Sequence, residues 1–159
     1  MKTAIIYASK HGTTGFVASE IKKRLDSDEV VLFNLKDQQR IEFGHFDRIL
    51  LGSSVYAGSV LPKVRRFTQE NLVDLLQKEI GIFVCCMFFD KADEQINKGF
   101  PQVLRNHARS IKHMGGEFCF EEMNFIERFM VRKIAGATSS ISSIKIDRIE
   151  EFVREISAR

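Results

Sequence analysis

The chain has 159 residues, of which 44% are hydrophobic and 28% charged, with a formal net charge of +3. That length suits one domain, residues 1–159, around one core, and that composition suits a globular protein. The charge is too small, and too little interleaved with aromatic residues, to predict a nucleic-acid partner. No apolar run approaches the about 20 residues that span a bilayer.

Residues 3–8, Thr-Ala-Ile-Ile-Tyr-Ala, predict a central strand, apolar on both faces. Lys2 and the short apolar run after it do not make a secretory leader, which predicts a cytoplasmic protein. The strand runs directly into Ser9-Lys10-His11-Gly12-Thr13-Thr14. A helix follows over 13–25, with Val17, Ala18, Ile21 and Leu25 on one stripe. Strand, hydroxyl-rich turn and helix in immediate succession aim backbone N–H groups and hydroxyls at one spot. That spot lies at the positive end of a helix dipole and suits a phosphate monoester. The same residues also serve as ordinary cap and turn formers.

Ser27 and Asp28 break the helix, and 29–35 predicts a second strand, followed by a polar connection over 37–46. Residues 48–52 predict a third strand, ending in the small-residue loop Ser53-Ser54-Val55-Tyr56-Ala57-Gly58. Pro62 sits at a first helical position, with Val64, Phe67, Leu72, Leu75 and Leu76 as core candidates. Residues 80–87 predict the strongest strand, which runs into Phe88, Phe89, Asp90 and a charged loop. Pro101 opens another helix, with Val103, Leu104, Ala108 and Ile111 on a stripe that Gly115-Gly116 closes. Residues 117–120 predict a short fifth strand. In the last helix Asp147 is the expected cap, Glu150 takes the capping-box position, and Ile149, Phe152, Val153 and Ile156 form the stripe.

Cys85, Cys86 and Cys119 are an odd set with no zinc spacing, and read as reduced, buried thiols. His11, His45, His107 and His113 lack ligand spacing too, so no metal is expected. Strands alternating with helices predict an α/β domain with a parallel sheet. Ligands of such sheets sit beyond the carboxyl ends of the strands. Three loops fall there: 9–14, 53–58 and 85–90. The first suits phosphate; the other two offer small residues, backbone amides and aromatics for a flat ring.

With these residues the chain resembles the flavodoxins, whose phosphate loop has the form Ser/Thr-x-Thr-Gly-x-Thr; His11 stands where a further hydroxyl is usual. The resemblance implies a doubly wound five-stranded parallel sheet in the order 2-1-3-4-5, with FMN as cofactor. Ser9, Lys10, His11, Gly12, Thr13 and Thr14 would hold its phosphate. Ser54, Val55, Tyr56 and Ala57 would line one edge of the isoalloxazine, and Cys86, Met87, Phe88 and Phe89 the other. The segment Asn124-Phe125-Ile126-Glu127-Arg128-Phe129-Met130-Val131-Arg132-Lys133-Ile134 is similar to the tail of the flavodoxin-like protoporphyrinogen oxidases. Those proteins use FMN to oxidise protoporphyrinogen IX and pass electrons to menaquinone. The family's acidic stretch before the last helix is replaced here by 137–143, Ala-Thr-Ser-Ser-Ile-Ser-Ser.

Two readings of 125–134 stand side by side: a helix docked on its own core, or an apolar, cation-flanked face that meets a tetrapyrrole, a quinone or the inner face of a membrane peripherally. Two functions stand likewise. One is an FMN-dependent oxidoreductase taking electrons from a large hydrophobic donor such as a porphyrinogen and passing them to a quinone or protein. The other is a one-electron carrier that docks onto redox partner proteins. The window 98–133 has seven Lys/Arg against four Asp/Glu, and the chain lacks tryptophan. Fewer carboxylates near the ring destabilise an anionic reduced flavin less, which favours the oxidoreductase. No catalytic acid or base is assigned. A response-regulator receiver is excluded by Ala8-Ser9 and Gly52-Ser53 at the strand ends, and a P-loop nucleotidase by the missing Gly-Lys-Ser/Thr.

Overall fold

The structure is a computed structural model that describes residues 1–26, 29–37, 40–118, 123–135 and 141–158. Expectations that fall on Ser27, Asp28, Cys119, Phe120, the 137–140 stretch and the side chain of Ile134 lie outside the described residues.

Strand β1 (Lys2–Ala8) is flanked by β2 (Glu29–Asn34) and β3 (Arg48–Tyr56), both parallel to it. Beyond β3 come β5 (Glu79–Cys85) and β6 (Ser110–His113), again parallel. The sheet order β2-β1-β3-β5-β6 is the doubly wound order expected, and it reverses between β1 and β3. Both faces of β1 are apolar because each faces its own core. Ala4, Ile6 and Ala8 pack with Phe43, Phe46, Val64, Leu75 and Leu104. Ile5 faces the other way, toward Val17, Ile21, Phe83, Phe152 and Ile156.

On the second face lie α1 (Thr13–Arg24) and α7 (Ile146–Ser157). On the first lie α2 (Pro62–Glu70), α3 (Leu72–Leu75), α4 (Ala92–Gly99) and α5 (Gln102–His107). Pro62 holds a first helical position as expected. Within β3, Gly52 is required by close approach: a Cβ there would stand 2.2 Å from the Phe83 ring. At the amino ends of β3 and β5, buried Arg48 donates from Nε and a terminal guanidinium nitrogen to Glu79 Oε2, at 3.2 and 3.1 Å.

Four expectations are corrected. The fifth strand of the sheet is β6, not 117–120. Helix α5 ends at His107, the Arg109 N–H donates to Ile80 O at 2.8 Å, and Ser110–His113 then pairs with Gly81–Val84. Ile111 is the one apolar residue of β6, and Ser110 and Lys112 face α7 through Glu151 and Glu155, so no hydrophobic run marks the strand. Glu117–Phe118, β7, instead pairs antiparallel with β8 (Ile141–Ser142) in a separate two-stranded sheet.

Residues 53–56 are not loop but the end of β3. They turn through Ala57 (φ 48°) and Gly58 (φ 75°) into β4 (Ser59–Val60), with Val55 opposite Val60. The charged stretch after Asp90 is α4, whose Ala92, Gln95, Ile96 and Gly99 are buried at helical spacing. The last helix starts at Ile146 with Lys145 as its cap and makes no side-chain cap bond. Asp147 therefore lies inside the first turn, where its charge meets the helix dipole.

Candidate functional site

The carboxyl ends of β1, β3 and β5 converge where the strand order reverses. Gly12 caps α1 in the left-handed region (φ 87°, ψ −20°), a conformation that glycine adopts without strain. It turns the chain sharply enough for α1 to begin one residue later. The first-turn N–H groups of α1 have no acceptor within the helix, and a helix start of this kind is where an anion can be received. Two serines close the loop. Ser9 Oγ accepts from the Thr14 N–H at 3.3 Å, and Ser54 Oγ accepts from the Lys10 N–H at 3.2 Å. The second bond spans the crevice and ties the β1 loop to β3. Thr13 and Thr14 are buried, and the Thr14 hydroxyl lies against the Cys85 thiol.

Above this loop sits α6 (Phe125–Ala135). Its start is a reciprocal cap: Asn124 Oδ1 accepts from the Glu127 N–H at 2.9 Å, and Glu127 Oε2 accepts from the Asn124 N–H at 3.1 Å. The cap points the Glu127 carboxylate down into the loop. Its Oε1 lies 3.2 Å from Lys10 Nζ, and its Oε2 lies 3.6 Å from His11 Nε2. Only 5% of Glu127 is exposed. Burial opposes its charge, but the Asn124 N–H, the Lys10 ammonium and His11 outweigh that and hold the carboxyl below its ordinary value. A cavity of about 520 Å³ opens here, lined among others by Ser9, Lys10, His11, Lys36, Lys63 and Glu127. A larger one of about 670 Å³, between residues 40–44 and α2–α3, includes none of the loop residues.

The other expected residues form the crevice walls. Tyr56 is exposed on the β3–β4 hairpin, and Lys10 Nζ stands 4.6 Å from its ring centroid. Val55 is half-buried beside it, and Ala57 forms the turn. Beyond β5, the Cys86 N–H donates to Gly115 O at 2.9 Å, and the sulfur of half-buried Met87 accepts from the Ser143 hydroxyl at 3.5 Å. Phe88 and Phe89 are exposed. Phe89 packs edge-on to His113 at 4.9 Å, with the Lys145 and Arg148 cations over its ring, so its contacts lie on the β6–α7 side. Burial, reinforced by Arg148, pushes His113 below its ordinary value. Burial raises both thiols, Cys85 to about 12 and Cys86 to about 11, so both stay protonated at neutral pH.

The structure thus brings 9–14, 54–57 and 86–88 to one end of the sheet, with Phe89 at its far rim. Sequence reasoning assigned no site role to Asn124 and Glu127. The signal was present, since Asn-x-x-Glu before an apolar run is a capping-box signature; what it does not reveal is that this cap aims its carboxylate at a loop over a hundred residues earlier.

A family model described as a flavodoxin domain matches residues 4–144. No curated protein matches. Among solved structures, the flavodoxin of Fusobacterium nucleatum bound to flavin mononucleotide aligns with a TM-score of 0.54 at 16% identity, over 98% of this chain and 96% of that one. Oxidised flavodoxin 1 of Bacillus cereus aligns with a TM-score of 0.55 at 15% identity, over 98% and 97%. The rubredoxin oxygen:oxidoreductase of Desulfovibrio gigas gives 0.55 at 14% identity over 98% of this chain, which spans only 35% of that protein's length. At these identities the likeness is one of fold.

Proposed function

The chain belongs to the flavodoxin-domain family, and on that footing we propose that it is an FMN-binding redox protein acting through the crevice above β1, β3 and β5. The donor set fits the cofactor's phosphate. The Gly12 turn opens α1 onto the loop, and a carboxylate already rests on Lys10 and His11 as a stand-in anion. In this reading Ser9, Lys10, His11, Gly12, Thr13 and Thr14 hold the phosphate. Ser54, Val55, Tyr56 and Ala57 line one edge of the ring, and Cys86, Met87, Phe88 and Phe89 the other. FMN, when bound, supplies the electron-accepting ring. The protein's part is to seat it: protonated Cys86 and the thioether of Met87 present polarizable, uncharged atoms, and the Lys10 cation sits beside the crevice.

The finer reading is an oxidoreductase that takes electrons from a porphyrinogen-like donor and delivers them to a quinone. One observation carries it. Helix α6, seated on the phosphate loop by Glu127, turns Phe125, Ile126 and Phe129 outward at 85, 69 and 60% exposure, with Met130 beside them. Arg128, Arg132 and Lys133 share that helix. An apolar face flanked by cations suits a tetrapyrrole with two propionates, a quinone, or the surface of an anionic membrane. Among the described residues no helix is long and apolar enough to cross a membrane, so contact there would be peripheral.

The alternative, a one-electron carrier, draws on the exposed Tyr56 and Phe88, an aromatic rim that a redox partner could approach. The test is anaerobic reduction of the FMN-loaded protein, followed by assay with protoporphyrinogen IX as donor and menaquinone as acceptor. Two-electron reduction with turnover supports the oxidoreductase. One-electron steps without turnover support the carrier. Failure to bind FMN removes both.

A further inference from the structure

Lys10 and His11 are the second and third residues of the loop that receives a phosphate in the function proposed above, and the inference that follows rests on that reading. Both already hold an anion. Glu127 Oε1 is 3.2 Å from Lys10 Nζ and Glu127 Oε2 is 3.6 Å from His11 Nε2, and the carboxylate is 95% withdrawn from solvent, with 5% exposure. Its orientation is fixed by the reciprocal bonds with Asn124 rather than left to a free rotamer. A phosphate monoester brings up to two negative charges to the same two side chains. At contact distance in a crevice, where water screens poorly, two like charges repel strongly, so the two anions do not share the pair.

We propose that Glu127 is an internal competitor for the phosphate loop: the FMN phosphate displaces its carboxylate from Lys10 and His11, and the amino end of α6, with its apolar face, shifts when the cofactor binds. The contact makes FMN affinity weaker than the loop alone would give, and it couples cofactor occupancy to the position of Phe125, Ile126 and Phe129. Riboflavin, which has the ring but no phosphate, does not compete with Glu127.

The test measures FMN and riboflavin binding by flavin fluorescence on the full chain, unmodified and as Glu127→Gln. Glutamine keeps the capping bonds, since Gln serves at this cap position as Glu does, and removes the charge. The expected result is about tenfold tighter FMN binding in the variant with riboflavin binding unchanged. FMN affinity that is equal or weaker in the variant overturns the inference and leaves the flavin reading standing. Absence of FMN binding in both proteins overturns that reading as well. Should the variant fold poorly, backbone hydrogen exchange over 124–135 of the unmodified chain decides. Faster exchange with FMN but not with riboflavin supports displacement; unchanged exchange or protection by FMN overturns it.

Discussion

Replacing Gly52 by alanine probes the packing that holds the crevice walls in place. Gly52 lies two residues before Ser54, whose hydroxyl ties the phosphate loop to β3. A Cβ at this position would stand 2.2 Å from Phe83 Cζ and 2.6 and 2.8 Å from the two Cε atoms. Carbon atoms rest at about 3.5–4.0 Å, so the ring must retreat by roughly an ångström. It has little room to do so. Phe83 is fully buried, and Phe152 stands edge-on to it with centroids 5.9 Å apart. Overpacking of this kind costs about 1–3 kcal/mol, while the stiffer unfolded chain of the alanine variant offsets about 0.4–1 kcal/mol. The expected net loss is about 1–2 kcal/mol, which for a domain of this size lowers Tm by about 2–8 °C. Urea denaturation should show a lower midpoint with an unchanged slope. Adding Phe83→Leu should recover part of the loss, because the two sites are in contact and their effects do not add. A Gly52→Ala chain as stable as its parent would refute the seating of Phe83 against β3.

Two further outcomes test the site and the rim of the sheet. Thr14→Val removes a buried hydroxyl beside the Cys85 thiol in the loop proposed to receive the phosphate, and FMN affinity should fall by about 1 kcal/mol, or roughly fivefold; unchanged affinity by fluorescence titration would take Thr14 out of the phosphate site. Glu155 is held below its ordinary carboxylate value by Lys112 and then by the Ser110 hydroxyl, against the opposing effect of burial. The unfolded chain therefore protonates first as pH falls below about 4.5, and stability is lost from there down through the folded-state value. Glu155→Gln should flatten that loss in urea midpoints measured between about pH 6 and pH 3; parallel curves for the two chains would contradict the assignment.

The parts of the fold that were readable in advance are those where local pattern and tertiary role agree. β1, its loop and α1 follow from an apolar run, a glycine turn and a helical stripe. The order of loops at the carboxyl ends follows from the alternation of strands and helices. α4 escaped because its buried positions include Gln95 and Gly99, which carry no hydropathy signal. A Cβ on Gly99 would come 2.3 Å from Val60, so the residue is chosen for its lack of bulk. Ser54 was expected to meet a ligand; that it also accepts the Lys10 N–H depends on the sheet register, which aligns Tyr7 with Gly52 and Ala8 with Ser53. Glu127 was hidden for a similar reason: its cap is local, but its partners are not.

The polarity that conceals β6 has a use of its own. A strand at the margin of a sheet offers a row of unmatched amides and carbonyls to any other chain that meets it. Here the margin is only Ser110–His113, four residues long, with a lysine at its centre that α7 neutralises through Glu151 and Glu155. A longer, oilier strand would have been easier to recognise and would have invited a neighbouring molecule to extend the sheet. Brevity and polarity make this margin a poor template for extending the sheet.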